Sequence, residues 1–167
     1  MLAMERASPA PALYTTMQVA IWVLLLPMVL LSRRGDDAGS IWRSFPLVMV
    51  GGMVLVAGIV MVASAARQLA DAGQPVFGMR PRHRLITDGW YGVVRNPQDL
   101  GTTIMTIGPA IALDMRMMWA LPVISIVYYA IGVELLEDFY LFDRFDDDFE
   151  DYRRAVRKWF PRFGRGA

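Results

Sequence analysis

Four apolar blocks, at residues 13–32, 45–66, 97–113 and 117–133, constrain this chain more than any other feature of its sequence. A helix needs about 20 mostly apolar residues to cross the hydrocarbon core of a bilayer, and only helices and closed barrels satisfy their backbone hydrogen bonds there. The first two blocks meet that length. The first reads as a retained span, because its apolar core is long and the following Ser32-Arg33-Arg34-Gly35 lacks a small-x-small cleavage pattern. Gly51-Gly52 and Gly58 in the second suit close approach of a neighbouring helix. The third block is shorter, about 25 Å at helical rise, and barely spans. Gly108-Pro109 predicts a kink in it, and Asp114-Met115-Arg116 a tight polar turn that makes blocks three and four a hairpin. The expected fold is all-α: a multi-pass membrane helical bundle of four spans, one membrane domain over 1–167 with its first two spans in 1–66. A hydrophobic content of 55% and a mean hydropathy of +0.35 exceed what a soluble domain of this length carries.

The bases give an orientation. With four spans, Arg6, the arginines at 67, 80, 82, 84 and 95, and the seven bases from Arg144 onward share one side, thirteen in all. Only Arg33, Arg34, Arg43 and Arg116 lie on the other. The positive-inside rule then puts both termini and residues 85–101 in the cytoplasm, as expected of a cell (inner) membrane protein. The absence of cysteine excludes disulfides, thiolate metal sites and cysteine nucleophiles, and the sole histidine, His83, has no second ligand in spacing, so no metal is expected. A net charge of +1 gives no reason to expect nucleic acid, and nothing in the sequence sets an oligomeric state.

Residues 85–101, LITDGWYGVVRNPQDLG, lie between the two hydrophobic pairs, at the end of a long polar connection over 67–95. Asn96 suits a helix N-cap, Pro97 the first helical position, and Asp99 the third, where a carboxylate favours the positive end of the helix dipole. Such a start leaves N–H groups without helical partners that can bind an anion, and Arg95 adds a fixed positive charge beside them. Asn-Pro before an apolar run is also an ordinary helix start. Gly89, Gly92 and Gly101 permit close approach of backbone or ligand, and Trp90 and Tyr91 supply flat apolar faces. Beyond the fourth block, Glu134, Glu137 and Asp138 share one helical face. Asp146-Asp147-Asp148 then reads as an interruption, with Asp148 capping a last amphipathic helix on the cytoplasmic side. Trp159, Phe160 and Phe163 beside its bases read as interfacial anchors.

Two ordered motifs resemble a known family. Leu85-Ile86-Thr87, Gly89, Tyr91, Val94-Arg95, Pro97 and Gly101 resemble the signature LVTxGxYxxVRHPxYxG of integral-membrane methyltransferases, which include isoprenylcysteine carboxyl methyltransferases and phospholipid N-methyltransferases. Glu137-Asp138, Leu141, Phe145-Asp146, Phe149 and Tyr152 resemble the family's EExxLxxxFGxxYxxY, so the resemblance makes 85–161 a methyltransferase-like catalytic region. The chain departs from the family at Asn96, where the family has histidine, at Asp99, where it has tyrosine, and at Asp138, where it has glutamate.

The resemblance implies an S-adenosylmethionine-dependent methyltransferase whose acceptor is lipophilic and membrane-embedded: an isoprenylcysteine carboxylate, a phospholipid amine or a small terpenoid-like molecule. Cofactor binding then falls to Tyr91, Arg95, Asn96, Pro97, Gly101, Glu137 and Asp138, with Arg95 near the cofactor carboxylate, Glu137 or Asp138 near its ammonium, and Tyr91 or aromatics of the last helix beside its adenine. Arg95, Asp99 and Glu134 are the candidates for the transfer itself. Two alternatives stand beside this reading. One is a non-catalytic membrane protein that keeps the fold; the other is an NADPH-dependent enzyme like the sterol reductases, which have an aromatic pair after glycine as in Gly89-Trp90-Tyr91.

Overall fold

Two glycines on one helix face two on another, and this pairing sets the fold. A computed structural model describes residues 45–76, 84–113 and 116–159, without the side chains of 116–117, 132–140, 142–144 and 146. Its elements are α1 (Phe45–Asp71), α2 (Gly89–Val93), α3 (Pro97–Leu113), a 3-10 turn (Arg116–Trp119) and α4 (Ala120–Ala155). No strand occurs among the described residues. The expected span at 13–32 lies outside them, as do Arg80, Arg82, His83, Asp114, Met115, Phe160 and Phe163.

The antiparallel pair of α1 and α3 is the most extensive helix–helix contact among the described elements. A Cβ at Gly51 would stand 2.6 Å from the Ala112 amide nitrogen, and one at Gly108 would stand 2.7 Å from the Gly51 carbonyl oxygen. One end along, a Cβ at Gly58 would meet the Gly101 carbonyl oxygen at 2.7 Å, and one at Gly101 would meet Val62 Cγ2 at 2.7 Å. Each helix thus presents two glycines seven residues apart, and the backbones touch where side chains would hold them off. Small residues at helix interfaces act this way in membranes, where apolar side chains gain little by leaving lipid. Gly52 is different: nothing lies within 4 Å of a Cβ placed there, so the close approach expected of the Gly51-Gly52 pair belongs to Gly51 alone.

Helix α1 exceeds the expected block. It runs to Asp71 because its buried positions, Gly51, Gly58, Met61, Ala65 and Leu69, keep helical spacing past the apolar stretch. It ends at Gly73, whose φ of +66° favours glycine. The Gln74 N–H reaches the Leu69 carbonyl and the Gly73 N–H the Ala70 carbonyl, the paired bonds of a Schellman C-terminus. The polar connection expected over 67–95 is therefore shorter, with a helical turn and more at its start and α2 near its end.

Helix α4 overturns the expected interruption. It is continuous for 36 residues, through Asp146, Asp147 and Asp148. Leu141, Phe149, Tyr152 and Val156 form one buried cluster with Phe145 and Leu85 against it, so an apolar stripe at helical spacing crosses the aspartates. Asp147 and Asp148 face outward and need not break the helix. The amphipathic segment is thus the end of α4 rather than a separate helix capped by Asp148. Nor does α4 begin at Met117, because residues 116–119 form the 3-10 turn.

Helix α4 is not straight. The Lys158 ammonium donates to the Ala130 carbonyl at 3.4 Å, and the rings of Tyr129 and Trp159 lie 6.4 Å apart. In a straight helix Ala130 and Ala155 would be about 37 Å apart, farther than Lys158 can reach back. The helix axis therefore folds back between them, and its two arms both reach the start of α3. Trp159, expected as an interfacial anchor, packs on Tyr129 instead.

Among the described residues α1 alone is long and apolar enough to cross a membrane, with Ala120–Ile131 a shorter apolar helix. On α1, Val48, Met49, Met53, Val56, Ile59 and Val60 are exposed, and on α4 Val123, Ile124, Ile126, Val127 and Ile131 are exposed. An apolar surface of that extent belongs against lipid or another span, not water.

Candidate functional site

The two sequence motifs, far apart in the chain, meet at the start of α3. The Arg95 N–H donates to the Arg157 carbonyl at 3.0 Å, and the Tyr152 hydroxyl donates to the Tyr91 carbonyl at 2.7 Å. These two bonds fasten the returning arm of α4 to the segment leading into α3. Leu85 packs against the same arm, on the cluster of Leu141, Phe149, Tyr152 and Val156.

Short-range rules explain the lead-in. Gly89 has a φ of +53°, and a Cβ there would collide with the side-chain amide of Gln68. That amide holds the start of α2: its Nε2 donates to the Asp88 carbonyl at 2.7 Å, and its Oε1 accepts from the Trp90 N–H at 3.1 Å. A Cβ at Gly92 would lie 2.9 Å from the Thr87 carbonyl oxygen. Gly89 and Gly92 thus shape this lead-in segment. Gly101 packs α3 on α1.

The helix start falls where the sequence placed it. α3 begins at Pro97, and the Leu100 N–H bonds to the Asn96 carbonyl at 3.1 Å. The Asn96 side chain donates to Asp99 Oδ2 at 3.2 Å. Asp99 is buried, at 4% exposure. Tyr128 of α4 lies within electrostatic range of it. Tyr91 is buried, at 2% exposure, and its ring packs with Ala65, Leu69 and Ile86. The burial follows from α2 lying on the last turns of α1.

A polar seam runs inward from Asp99. Thr103 and Thr106 follow Asp99 on the same face of α3, both buried, with hydroxyls donating to the carbonyls of Asp99 and Thr103. Ser125 and Tyr129 are fully buried on α4, and Tyr128 meets Tyr129 edge-on with ring centroids 5.2 Å apart. Ionisable and polar side chains inside a membrane-facing bundle are costly and mark function by default. The first-turn asparagine and aspartate, the guanidinium of Arg95 and the phenols of Tyr128 and Tyr129 form a polar end to an otherwise apolar bundle.

Glu134, Glu137 and Asp138 lie on the backbone of α4 between its two arms, and their side chains are outside the description. The sequence pattern singled out neither Gln68 nor Tyr128, and marked Arg157 only as one of the bases at the end of the last helix. A pair of adjacent phenols inside an apolar block was the available signal for Tyr128. Gln68 gave none, since its partners stand 20 and 22 residues away. Among the described residues no group of His, Asp and Glu is placed to hold a metal.

A family model described as phospholipid methyltransferase matches residues 47–148. The match begins inside α1 and takes in α2, α3 and most of α4, so it includes a helix that sequence reading left outside the motif region. No curated protein and no solved structure matches the chain.

Proposed function

We propose that this chain, which belongs to the phospholipid methyltransferase family of membrane methyltransferases acting on lipid-type substrates, takes its methyl group from S-adenosylmethionine. The acceptor would arrive sideways from the bilayer, between the apolar faces of α1 and α4. The observation that carries this reading is the fastening of both family motifs at one place, through Arg95 to Arg157 and Tyr152 to Tyr91.

The residues present fit the cofactor's charges. Arg95 supplies a cation for the carboxylate, and the first turn of α3 adds the positive end of a helix dipole. Glu137 or Asp138, between the two arms of α4, would take the ammonium. The adenine slot passes from Tyr91, whose ring is buried, to aromatic residues of the α4 arms. Bound S-adenosylmethionine supplies an activated methyl group on a sulfonium, and such a transfer asks the protein chiefly for in-line positioning and exclusion of water. Asp99, buried and within electrostatic range of Tyr128, puts negative charge at the polar end of the bundle. This favours a cationic partner there, either the sulfonium or an amine acceptor, over an acceptor carboxylate. Glu134, one turn before Glu137 and Asp138 in the sequence, is assigned to the acceptor side.

Four spans with both termini and the start of α3 at the cytoplasmic face complete the reading, supported by the thirteen-to-four distribution of bases. The test is thermal melting of the full chain in detergent with S-adenosylhomocysteine and, separately, NADPH. A ligand at about 100 times its dissociation constant stabilises by roughly 2.7 kcal/mol. Stabilisation by S-adenosylhomocysteine alone is expected. Stabilisation by NADPH alone would turn the reading to a reductase, and by neither to a non-catalytic member.

A further inference from the structure

The outer side of the returning arm of α4 is charged in two blocks of opposite sign. Asp147, Glu150, Asp151 and Arg154 keep the i, i+3, i+4, i+7 spacing of one helix stripe, away from the buried Phe149, Tyr152 and Val156. Arg153 flanks that stripe, and Arg157 follows just past the helix end at Ala155. All six are exposed apart from Glu150, which is partly buried.

The two blocks mirror one another about Tyr152. Reading outward from it, Asp151 stands against Arg153, Glu150 against Arg154 and Asp147 against Arg157. Each of these acids has a base at the same distance on the other side. Asp148 is the exception, its counterpart being the buried Val156.

Contacts within the arm do not account for this order. Glu150 and Arg154 form an ion pair at 3.3 Å. Among the described residues, no hydrogen bond or ion pair engages the side chains of Asp147, Asp151, Arg153 and Arg157. At i, i+4 spacing the blocks set Asp147 beside Asp151 and Arg153 beside Arg157, like-charge pairs that weaken a helix taken by itself. The helix dipole favours Arg153 and Arg154 in the last turn, but gives no reason for the acids in the turns before it.

A surface whose charge changes sign about its midpoint is complementary to itself when a second copy is turned through a two-fold axis. We propose that the returning arm of α4 docks on the same arm of a second copy, antiparallel and centred on Tyr152. Asp147 then meets Arg157, Glu150 meets Arg154 and Asp151 meets Arg153 across the axis, and each pair is made twice. The contact runs about 15 Å along each arm. The ion pair of Glu150 and Arg154 within each copy closes with its equivalent into one network. Copies inserted the same way in one membrane are related by an axis along its normal, which reverses the in-plane course of the arm and permits this register. An anionic lipid surface, or a partner of one charge sign, would satisfy one block and repel the other. Exposed ion pairs are individually weak, so the contact is reversible and salt-sensitive, and confinement of the copies in one bilayer raises their effective concentration. The surface goes beyond the methyl-transfer reading and does not depend on it.

The test reconstitutes the full chain in phosphatidylcholine vesicles, as equal amounts of copies with a donor or an acceptor fluorophore fused after Ala167, and reads energy transfer between them. Wild-type copies should transfer above the level of random proximity, and the excess should fall severalfold as salt rises from about 0.05 M to about 0.5 M. Glu150→Arg with Asp151→Arg reverses the acidic block, and Arg153→Glu with Arg154→Glu reverses the basic one. Each variant with itself should associate about tenfold more weakly than the wild type. The two variants mixed should regain wild-type transfer, because every pair across the axis is again of opposite sign. Asp147→Arg and Arg157→Asp, at the two ends of the contact, repeat the exchange with less disturbance of the helix, and melting temperature in detergent checks that each variant is folded. Random transfer by the wild type, transfer insensitive to salt, or undiminished association of a folded variant with itself would each overturn the proposal. So would failure of folded, complementary variants to recover transfer when mixed. Loss of wild-type transfer when phosphatidylglycerol replaces part of the phosphatidylcholine would assign the basic block to lipid headgroups and overturn it too. No cofactor enters the measurement, so its failure leaves the methyltransferase reading untouched.

Discussion

The Tyr152 hydroxyl reaches the Tyr91 carbonyl across 2.7 Å, and both residues are buried. Sixty-one residues separate them in the chain. The bond ties the far end of α4 to α2, and it holds because a buried carbonyl left without a donor carries its full desolvation penalty. Tyr152→Phe keeps the ring's packing on Phe149 and removes only the donor. It should destabilise the protein by about 1–3 kcal/mol, read as a lower melting temperature in detergent, and should weaken S-adenosylhomocysteine binding by loosening the arm over α3.

The glycine pairs predict opposite signs for neighbouring residues. Gly51→Ala and Gly58→Ala force α1 and α3 apart and should each cost about 1–3 kcal/mol, the usual range for overpacking. Gly52→Ala meets nothing within 4 Å and should stabilise by up to about 1 kcal/mol through helix propensity. Melting temperatures of the three variants check this, and a loss at Gly52 equal to that at Gly51 would contradict the packing.

Asp99 separates charge from shape. Asp99→Asn preserves size and can still meet Asn96, so it should leave melting nearly unchanged while cutting methyl transfer from labelled cofactor to membrane lipids at least tenfold. A tyrosine at this position, the family residue, has no room at a site 4% exposed and should destabilise the chain. Transfer by Asp99→Asn at the wild-type rate would remove any catalytic role for the charge.

Arg95→Ala deletes the guanidinium but not the backbone bond to Arg157, so the arm of α4 should stay in place. A hydrogen bond to a charged group is worth about 1.5–3 kcal/mol, and the variant should bind S-adenosylhomocysteine about ten- to a hundredfold more weakly. Glu137→Gln should do the same through the cofactor ammonium. Calorimetric titration decides, and unchanged affinity in both variants would displace the site.

A topology reporter fused after Ala167 should be active only in the cytoplasm, and one inserted at Gly35, between the first two apolar blocks, only outside it.

Local sequence signals determined the helix start at Asn96-Pro97, the apolar character of α1 and α3, and the family motifs on either side of the fourth block. These depend on residues within a turn or two of one another, where capping chemistry and side-chain periodicity act directly. What the sequence could not determine is which neighbour each residue meets. Asp146-Asp147-Asp148 looks like a break when composition alone is weighed, yet the stripe of Leu141, Phe145, Phe149 and Tyr152 carries α4 through it, because burial of that stripe against Leu85 outweighs weak local propensity. Tyr91 looks like a ligand face and is core, because α2 lies on Ala65 and Leu69. Gly101 reads as part of a ligand motif, and the structure shows it set against Gly58 and Val62. The fold-back of α4, which brings Lys158 to Ala130 and Arg157 to Arg95, is a long-range choice. Only tertiary packing decides it, since helical periodicity is the same in a straight helix and a bent one.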